Sequence, residues 1–570
     1  MRPTVATLLL IASVALFIVP SRSFAQASDT LVVSAMPPGN LNTIINGDTT
    51  ATGQREDPNR VYVLQQTGNT DSTYFFTAPI YMLKKFNLTI VGKDNPVTGM
   101  PPVIEPFINA DNSTPAPFVE DKAGNITVKN LYFLDKRTDG VIAAGNNRFL
   151  DGSPDSATIR VDHCVFDDFT KGGGAVISFG GNGNNFFITS TEFRNVQSRN
   201  VMQPTTIWTA NCDTIECVND TYFCTGYAAI WSNLYLGYLL FEHNTMFANS
   251  QIPLRVFQVD SALIENNIFY ALYAHGLDST HIKAGGAGNL PPSIITFDSL
   301  YSLTGTPYNL TEAGRHIVVK NNAYYWPKAI FDNIAAINDT ATDKVVPPTW
   351  MNSQTSMMFT DHTAWPGLTE ANNDSVDPGF SPSLVGSTVD SLVEFVDQRW
   401  SGQLAGSSLW RQDITNPVNV FGPVSRIWAT TQGYPVPENL AYSNTTLQDA
   451  GSDGFALGDL NWFPVQLAKW ELTGVKPTNN AVPTRFDLSQ NYPNPFNPST
   501  DIKVSLSHAG VMSLMIYNVL GQVVQVVDHG YEPAGEYIYN VNMDRFASGV
   551  YFYSLKQGAN VITKKMLLLK

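Results

Sequence analysis

The sequence predicts an all-β chain: a long stack of parallel β coils followed by a small C-terminal β-sandwich. Three observations lead there. One apolar motif recurs seven times between residues 126 and 324, with no helical periodicity between copies. The composition suits turn-rich extended structure, with 41 Gly, 35 Pro and 11% aromatic residues among 570. The last ninety or so residues break into short alternating strands with turn signals at close intervals.

The repeat carries the main argument. Ile126-Thr127-Val128-Lys129-Asn130-Leu131-Tyr132-Phe133 returns as Ile159 to Phe166, Phe186 to Phe193, Val218 to Phe223, Leu239 to Met246, Ala262 to Phe269 and Ile317 to Tyr324. Aligning the copies places a polar anchor at Asn130, His163, Ser190, Asp220, His243, Asn266 and Asn321. The spacings are 33, 27, 30, 23, 23 and 55 residues, and the last leaves room for one more, poorly matched turn. Apolar residues four and two positions before the anchor share one face of a short strand. The anchor types tolerate a left-handed backbone and so suit a corner. Three residues later Phe, Met or Tyr turns inward and stacks on its equivalents. One coil cannot bury its own inner face, but neighbours about 4.8 Å apart do so together.

This pattern resembles the right-handed parallel β-helix proteins, the architecture shared by pectate lyases and many bacterial surface proteins. The likeness covers roughly residues 60 to 335, with Arg60 to Leu64 as an opening strand and Phe86 to Gly92 as an early coil. It implies fold far more than chemistry. The organisation expected is a signal peptide over 1–27, a β-helix with an N-terminal cap over 28–335, and irregular terminal coils and a cap over 336–475. A linker follows over 476–483 and the small β-sandwich over 484–570.

Arg2, the uncharged stretch Ala6 to Val19 and the small-residue site Ala25-Gln26-Ala27 read as a cleaved secretory signal. That stretch is too short for a bilayer, which needs about 20 apolar residues. No other window is long and apolar enough to span, so no transmembrane segment is expected in the mature chain. In the tail, Leu488-Ser489-Gln490-Asn491-Tyr492-Pro493-Asn494-Pro495-Phe496 runs through strand-like segments to Lys564-Lys565-Met566-Leu567-Leu568-Leu569-Lys570. The wording resembles the type A C-terminal sorting domain of type IX secretion cargo. That resemblance implies an Ig-like sandwich, a secretion-machinery partner bound through residues 484–570, and a destination outside the cell or on its surface.

Only 15% of residues are charged, and the net charge is −15. No basic patch marks a nucleic-acid partner, and a polyanion is repelled at long range. Extracellular polysaccharide is the partner expected, bound or cleaved; a structural or adhesion role for the rigid body is the alternative.

Candidate site residues are sparse. Arg255, Lys283 and Arg315, with His275, His281 and His316 nearby, offer the cations and bases that β-elimination beside a uronate carboxylate requires. Glu242 and Glu265 fall just before successive anchors, so their carboxylates sit on adjacent coils, suited to Ca²⁺ or to acid–base work on a glycosidic bond. His163 and His243 read as corner residues. Asp167-Asp168 is similar to the paired aspartates of polygalacturonases, but that family's other segments are missing. Trp208, Trp231 and Tyr235 lead an aromatic-rich stretch whose rings suit sugar faces. Of four cysteines, Cys212 or Cys217 is expected to pair with Cys224, Cys217–Cys224 being the preferred disulfide, and Cys164 to be a buried thiol.

Overall fold

The computed structural model describes residues 30–50, 56–57, 60–65, 73–82, 87–111, 113–135, 149–169, 175–196, 206–226, 228–232, 234–256, 258–274, 293–300, 311–342, 344–400, 436, 438–473, 485–506, 510–519, 523–532, 535–543, 546–557 and 560–569. Among them the body is a parallel β-helix of three sheets, with eleven, ten and seven strands. One coil runs through Thr158–Asp162 in the first sheet, Val165–Asp167 in the second and Ile177–Phe179 in the third. The next coil repeats the path directly above: Ile159 pairs with Phe186, Phe166 with Phe193 and Ile177 with Ile207.

The corners explain the repeat. Asn130, His163, Ser190, Asn219, His243, Asn266 and Asn321 all have φ between 49° and 60°. A left-handed residue at this point swings the chain from the first sheet into the second. Six of these are the anchors read from the sequence. The exception is a correction: the corner is Asn219, not Asp220, and Val218 closes the preceding strand. Counted from Asn219, the inward ring three residues later is Tyr222, which stacks on Phe193 at 5.3 Å. Phe133, Phe166 and Phe193 stack below it at 5.0 Å intervals. Each such buried ring contributes about 1.5–3 kcal/mol relative to exposure.

A second column runs one residue beyond the corners. Asn244, Asn267, Asn322 and Asn373 pass amide hydrogen bonds from coil to coil: the Asn267 amide donates to Asn322 Oδ1 at 2.9 Å and to the carbonyls of Phe241 and Glu265. Asn322 repeats this toward Asn373. Polar side chains persist inside the wall because every turn supplies the partner for the next.

The tube is closed at both ends. Helix Asn40–Gly47 brings Leu41 and Ile45 into the core beside the first coils, and helix Ser353–Thr360 adds Met358 and Phe359 beside the last.

The segment after Lys328 differs from the irregular coils expected. Helices Lys328–Thr340 and Pro382–Trp400, with the stretch 438–470, form a second apolar core on the outer face of the ten-strand sheet, against Phe223, Phe247, Ile268 and Tyr270. Ile330, Ile334 and Ile337 lie at helical spacing, the signal that identifies the first of these helices. The strands Leu368–Ala371 and Asp374–Ser375 still extend the first and second sheets by a coil.

The C-terminal unit is antiparallel. Asp487–Leu488, Ser499–Leu506 and Gly535–Asn542 make one sheet; Val523–Glu532, Gly510–Tyr517, Gly549–Gln557 and Asn560–Leu568 make the other. Both feed a shared core that includes Val504, Leu514, Val541, Tyr553 and Met566. The Tyr553 hydroxyl donates to the Ser489 carbonyl and accepts from the Asn491 amide, fastening the leading segment to the sandwich.

Candidate functional sites on the outer wall

Two places on the outside of the β-helix gather chemically capable side chains. The first lies at the corner of the eleven-strand sheet. Strict register places Val218, Glu242, Glu265 and Lys320 one above another on its outer face. The two glutamates are adjacent, as the sequence predicts, but their surroundings differ. Glu265 is buried, 2.9 Å from Lys320 Nζ, and accepts from Ser452 Oγ at 2.7 Å. Glu242 has no such ion pair among the described residues. Burial pushes its carboxyl up to about 7, offset in part by the charge of His243 and reinforced by Glu265.

His243 is fully buried at its left-handed corner. Its Nε2 lies 2.9 Å from Asp453 Oδ2, in a segment 210 residues further along the chain. Burial alone lowers the imidazole's proton affinity, but the bond to Asp453 and the charge of Glu242 outweigh it, so the net shift is upward. Trp470 Nε1 donates to the same carboxylate oxygen at 3.0 Å, and its indole packs edge-on to the imidazole. The cap reaches this corner because Gly458, left-handed at φ 78°, sends its N–H to the Asn266 carbonyl at 2.7 Å. A Cβ there would fall 2.5 Å from Thr245 Oγ1, so only glycine fits. One ligand atom from each of Glu242, His243 and Asp453 lies within 4.8 Å of the others.

The second place is the outer face of the seven-strand sheet. Tyr81, Glu120, Asp151, Ser178, Trp208, Trp231 and Arg255 follow one another in register. Trp208 and Trp231 are half-buried neighbours, and the Arg255 guanidinium lies 4.2 Å over the Trp231 ring. Alternation along each short strand sends these side chains outward while Ile207 and Ile230 fill the core. Sequence reasoning selected both tryptophans and the arginine but assigned them to different sites, because only register shows that they share a column.

Other expectations need revision. Tyr235 is buried, 6% exposed, and so is not a ring on the surface. Arg315 is buried as well: its Nε donates to the Val259 carbonyl at 2.9 Å, and Nη1 to the Asp298 carbonyl and Glu312. Those bonds tie the strand His316–Lys320 to its neighbours, whereas Arg255 belongs to another sheet. Lys283, His275, His281 and the 285–292 loop lie outside the described residues. Asp167, the first of the paired aspartates, is buried and bound to Arg194 and Tyr132.

The Cys217–Cys224 disulfide is not formed. None of the four cysteines is in a disulfide, and all are buried. Cys217 points into the tube beside Phe241, while Cys224 belongs to the outer apolar core beside Phe223, so the wall of the helix separates them. Burial pushes the thiols up, Cys164 to about 12.

Comparison with known proteins bears on the tail. Residues 490–569 match the secretion system C-terminal sorting domain. The chain therefore carries the tail of a secreted cargo. This is the sorting tail of type IX secretion, which engages that machinery and directs export across the outer membrane. No curated protein and no solved structure matches the chain significantly. No helix among the described residues is long and apolar enough to cross a membrane.

Proposed function

We propose that this exported β-helix binds extracellular polysaccharide along the outer face of its seven-strand sheet. The observation that carries this reading is the register column Trp208–Trp231–Arg255, with the guanidinium 4.2 Å over the Trp231 ring. Indole faces one strand spacing apart, about 4.8 Å, suit the apolar faces of a sugar chain, and the cation is fixed where a uronate or sulfate would meet it. Further along the column, Asp151 and Glu120 offer carboxylate partners for sugar hydroxyls. Two carboxylates in the row and the chain's charge of −15 favour a neutral or sparsely charged glycan over a dense polyanion. The leader expected over 1–27 would take the chain into the periplasm, and the tail from there outward.

The test is affinity electrophoresis and calorimetry of the exported protein against neutral and uronic-acid polysaccharides. Trp208→Ala and Trp231→Ala are expected to weaken binding at least about tenfold each, and Arg255→Gln to weaken acidic glycans selectively. Binding untouched by all three changes would move the glycan elsewhere; no binding across the panel would leave the rigid body itself as the function.

A further inference from the structure

We propose that Glu242, His243 and Asp453 form a divalent transition-metal site that clamps the C-terminal cap onto the β-helix. Glu242 ends one strand of the eleven-strand sheet, and His243 is the corner that follows it. The third arrives from the cap, so a bound ion would bridge segments 210 residues apart.

Four observations converge. One oxygen, one imidazole nitrogen and a second oxygen lie within 4.8 Å of one another, a distance that small side-chain adjustments close onto a single ion. The half-buried Glu242 carboxylate makes no hydrogen bond or ion pair among the described residues, although it lies against the buried imidazole of the next residue. His243 is fully buried; its Nε2 meets Asp453, and its Nδ1 has no hydrogen-bond partner among the described residues. Asp453 is positioned from behind, its Oδ2 by Trp470 Nε1 and its Oδ1 by the Phe455 amide at 3.2 Å, the outer support that metal-bound carboxylates need.

The donor set names the metal class. Two carboxylates and an imidazole suit Zn²⁺, Mn²⁺ or a similar first-row ion, whereas Ca²⁺ takes six to eight oxygens. The pair expected from sequence, Glu242 with Glu265, is not the ligand set. Glu265 is already neutralised by Lys320 and held by Ser452, which leaves Glu242 as the carboxylate in need of a cation. Three protein ligands leave a position for water. This site is independent of the glycan face, which lies on another sheet.

The experiment uses the full-length exported protein, stripped with a chelator and titrated with Zn²⁺, Mn²⁺ and Ca²⁺ by calorimetry, with Co²⁺ absorption reporting imidazole coordination. One equivalent of Zn²⁺ or Mn²⁺ is expected, tighter than Ca²⁺ by at least about a hundredfold. His243→Asn removes the imidazole but keeps a residue type found at four other corners, so the coil is retained. It and Asp453→Asn should each weaken binding at least about tenfold, while Glu265→Gln should not. Limited proteolysis of the 438–473 segment should slow when the metal is added, and only with His243 and Asp453 intact. Absence of stoichiometric binding at millimolar Zn²⁺ and Mn²⁺, a preference for Ca²⁺, or binding that survives both substitutions would overturn the assignment.

Discussion

Arg194 and Glu438 stand 244 residues apart and meet in a two-pronged, fully buried ion pair, with Nε to Oε1 at 2.5 Å and Nη2 to Oε2 at 2.8 Å. The same guanidinium holds Asp167 Oδ2 at 2.7 Å, and the Tyr132 hydroxyl donates to that same oxygen. Burial, then the charge of Glu438, pushes the neighbouring Glu192 carboxyl well above its usual range. The β-helix wall thus grips the segment that folds back over it. Glu438→Gln leaves the arginine with one full counter-charge, and breaking a buried pair of this kind costs about 3–5 kcal/mol. The expected outcome is a lower urea midpoint and early cleavage of the 438–473 stretch by protease. Replacing Arg194 and Glu438 together by Met and Leu should cost less than Arg194→Met alone, which strands buried carboxylates.

The asparagine column makes a separate prediction. Asn267 donates three amide hydrogen bonds, and its Oδ1 accepts from the Asn244 amide and backbone. Asn267→Ala leaves several buried groups unmatched at about 1–3 kcal/mol apiece. A loss of about 3 kcal/mol or more in denaturant unfolding is expected. Asn267→Asp keeps the acceptor but not the donors, and should fall between alanine and the native residue only at low pH.

Corner geometry can be probed at Ser190, where φ is 49°. Ser190→Gly should be nearly neutral, since glycine adopts this region freely. Ser190→Val should cost about 1–2 kcal/mol for the left-handed backbone alone. Equal effects of the two changes on the thermal midpoint would contradict a conformational role for the corner.

Acid sensitivity has an unusual sign at Asp121. Burial raises this carboxyl to about 6, against the partial offset of bonds from the Ala123 and Gly124 amides. Its folded value therefore exceeds the unfolded one of about 3.9. The native state holds the proton more tightly, so this contribution is fully present below pH ~4 and is lost as pH rises through ~6. Two pKa units correspond to up to about 3 kcal/mol. Urea titrations at pH 5 and pH 8 should show a drop in stability that shrinks in Asp121→Asn, which keeps the acceptor oxygen and cannot ionise.

Local chemistry made much of this protein legible in its sequence. The stacked coils follow from apolar spacing, from left-handed residue types at the corners and from the inward rings, because each coil repeats one local conformation. At Asn219 two polar residues in succession, Asn219 and Asp220, both fit the pattern, and only the backbone decided which one turns. The adjacency of Glu242 and Glu265 was likewise readable, since register in a β-helix is set by the repeat itself. The sorting tail was readable because its wording is local and ordered.

Tertiary structure alone decided the rest. Glu438, Asp453 and Asp459 reach Arg194, His243 and Thr221 across more than two hundred residues of chain, along a return path that no periodicity announces. That return buries the outer face of one sheet and leaves Glu242 desolvated beside a histidine. Packing elsewhere in the fold likewise makes Arg315 and Tyr235 structural: both are buried, and Arg315 is held by the Val259 and Asp298 carbonyls. Sequence fixes the repeat through local backbone preference; the sites depend on long-range coverage, which local preference does not encode.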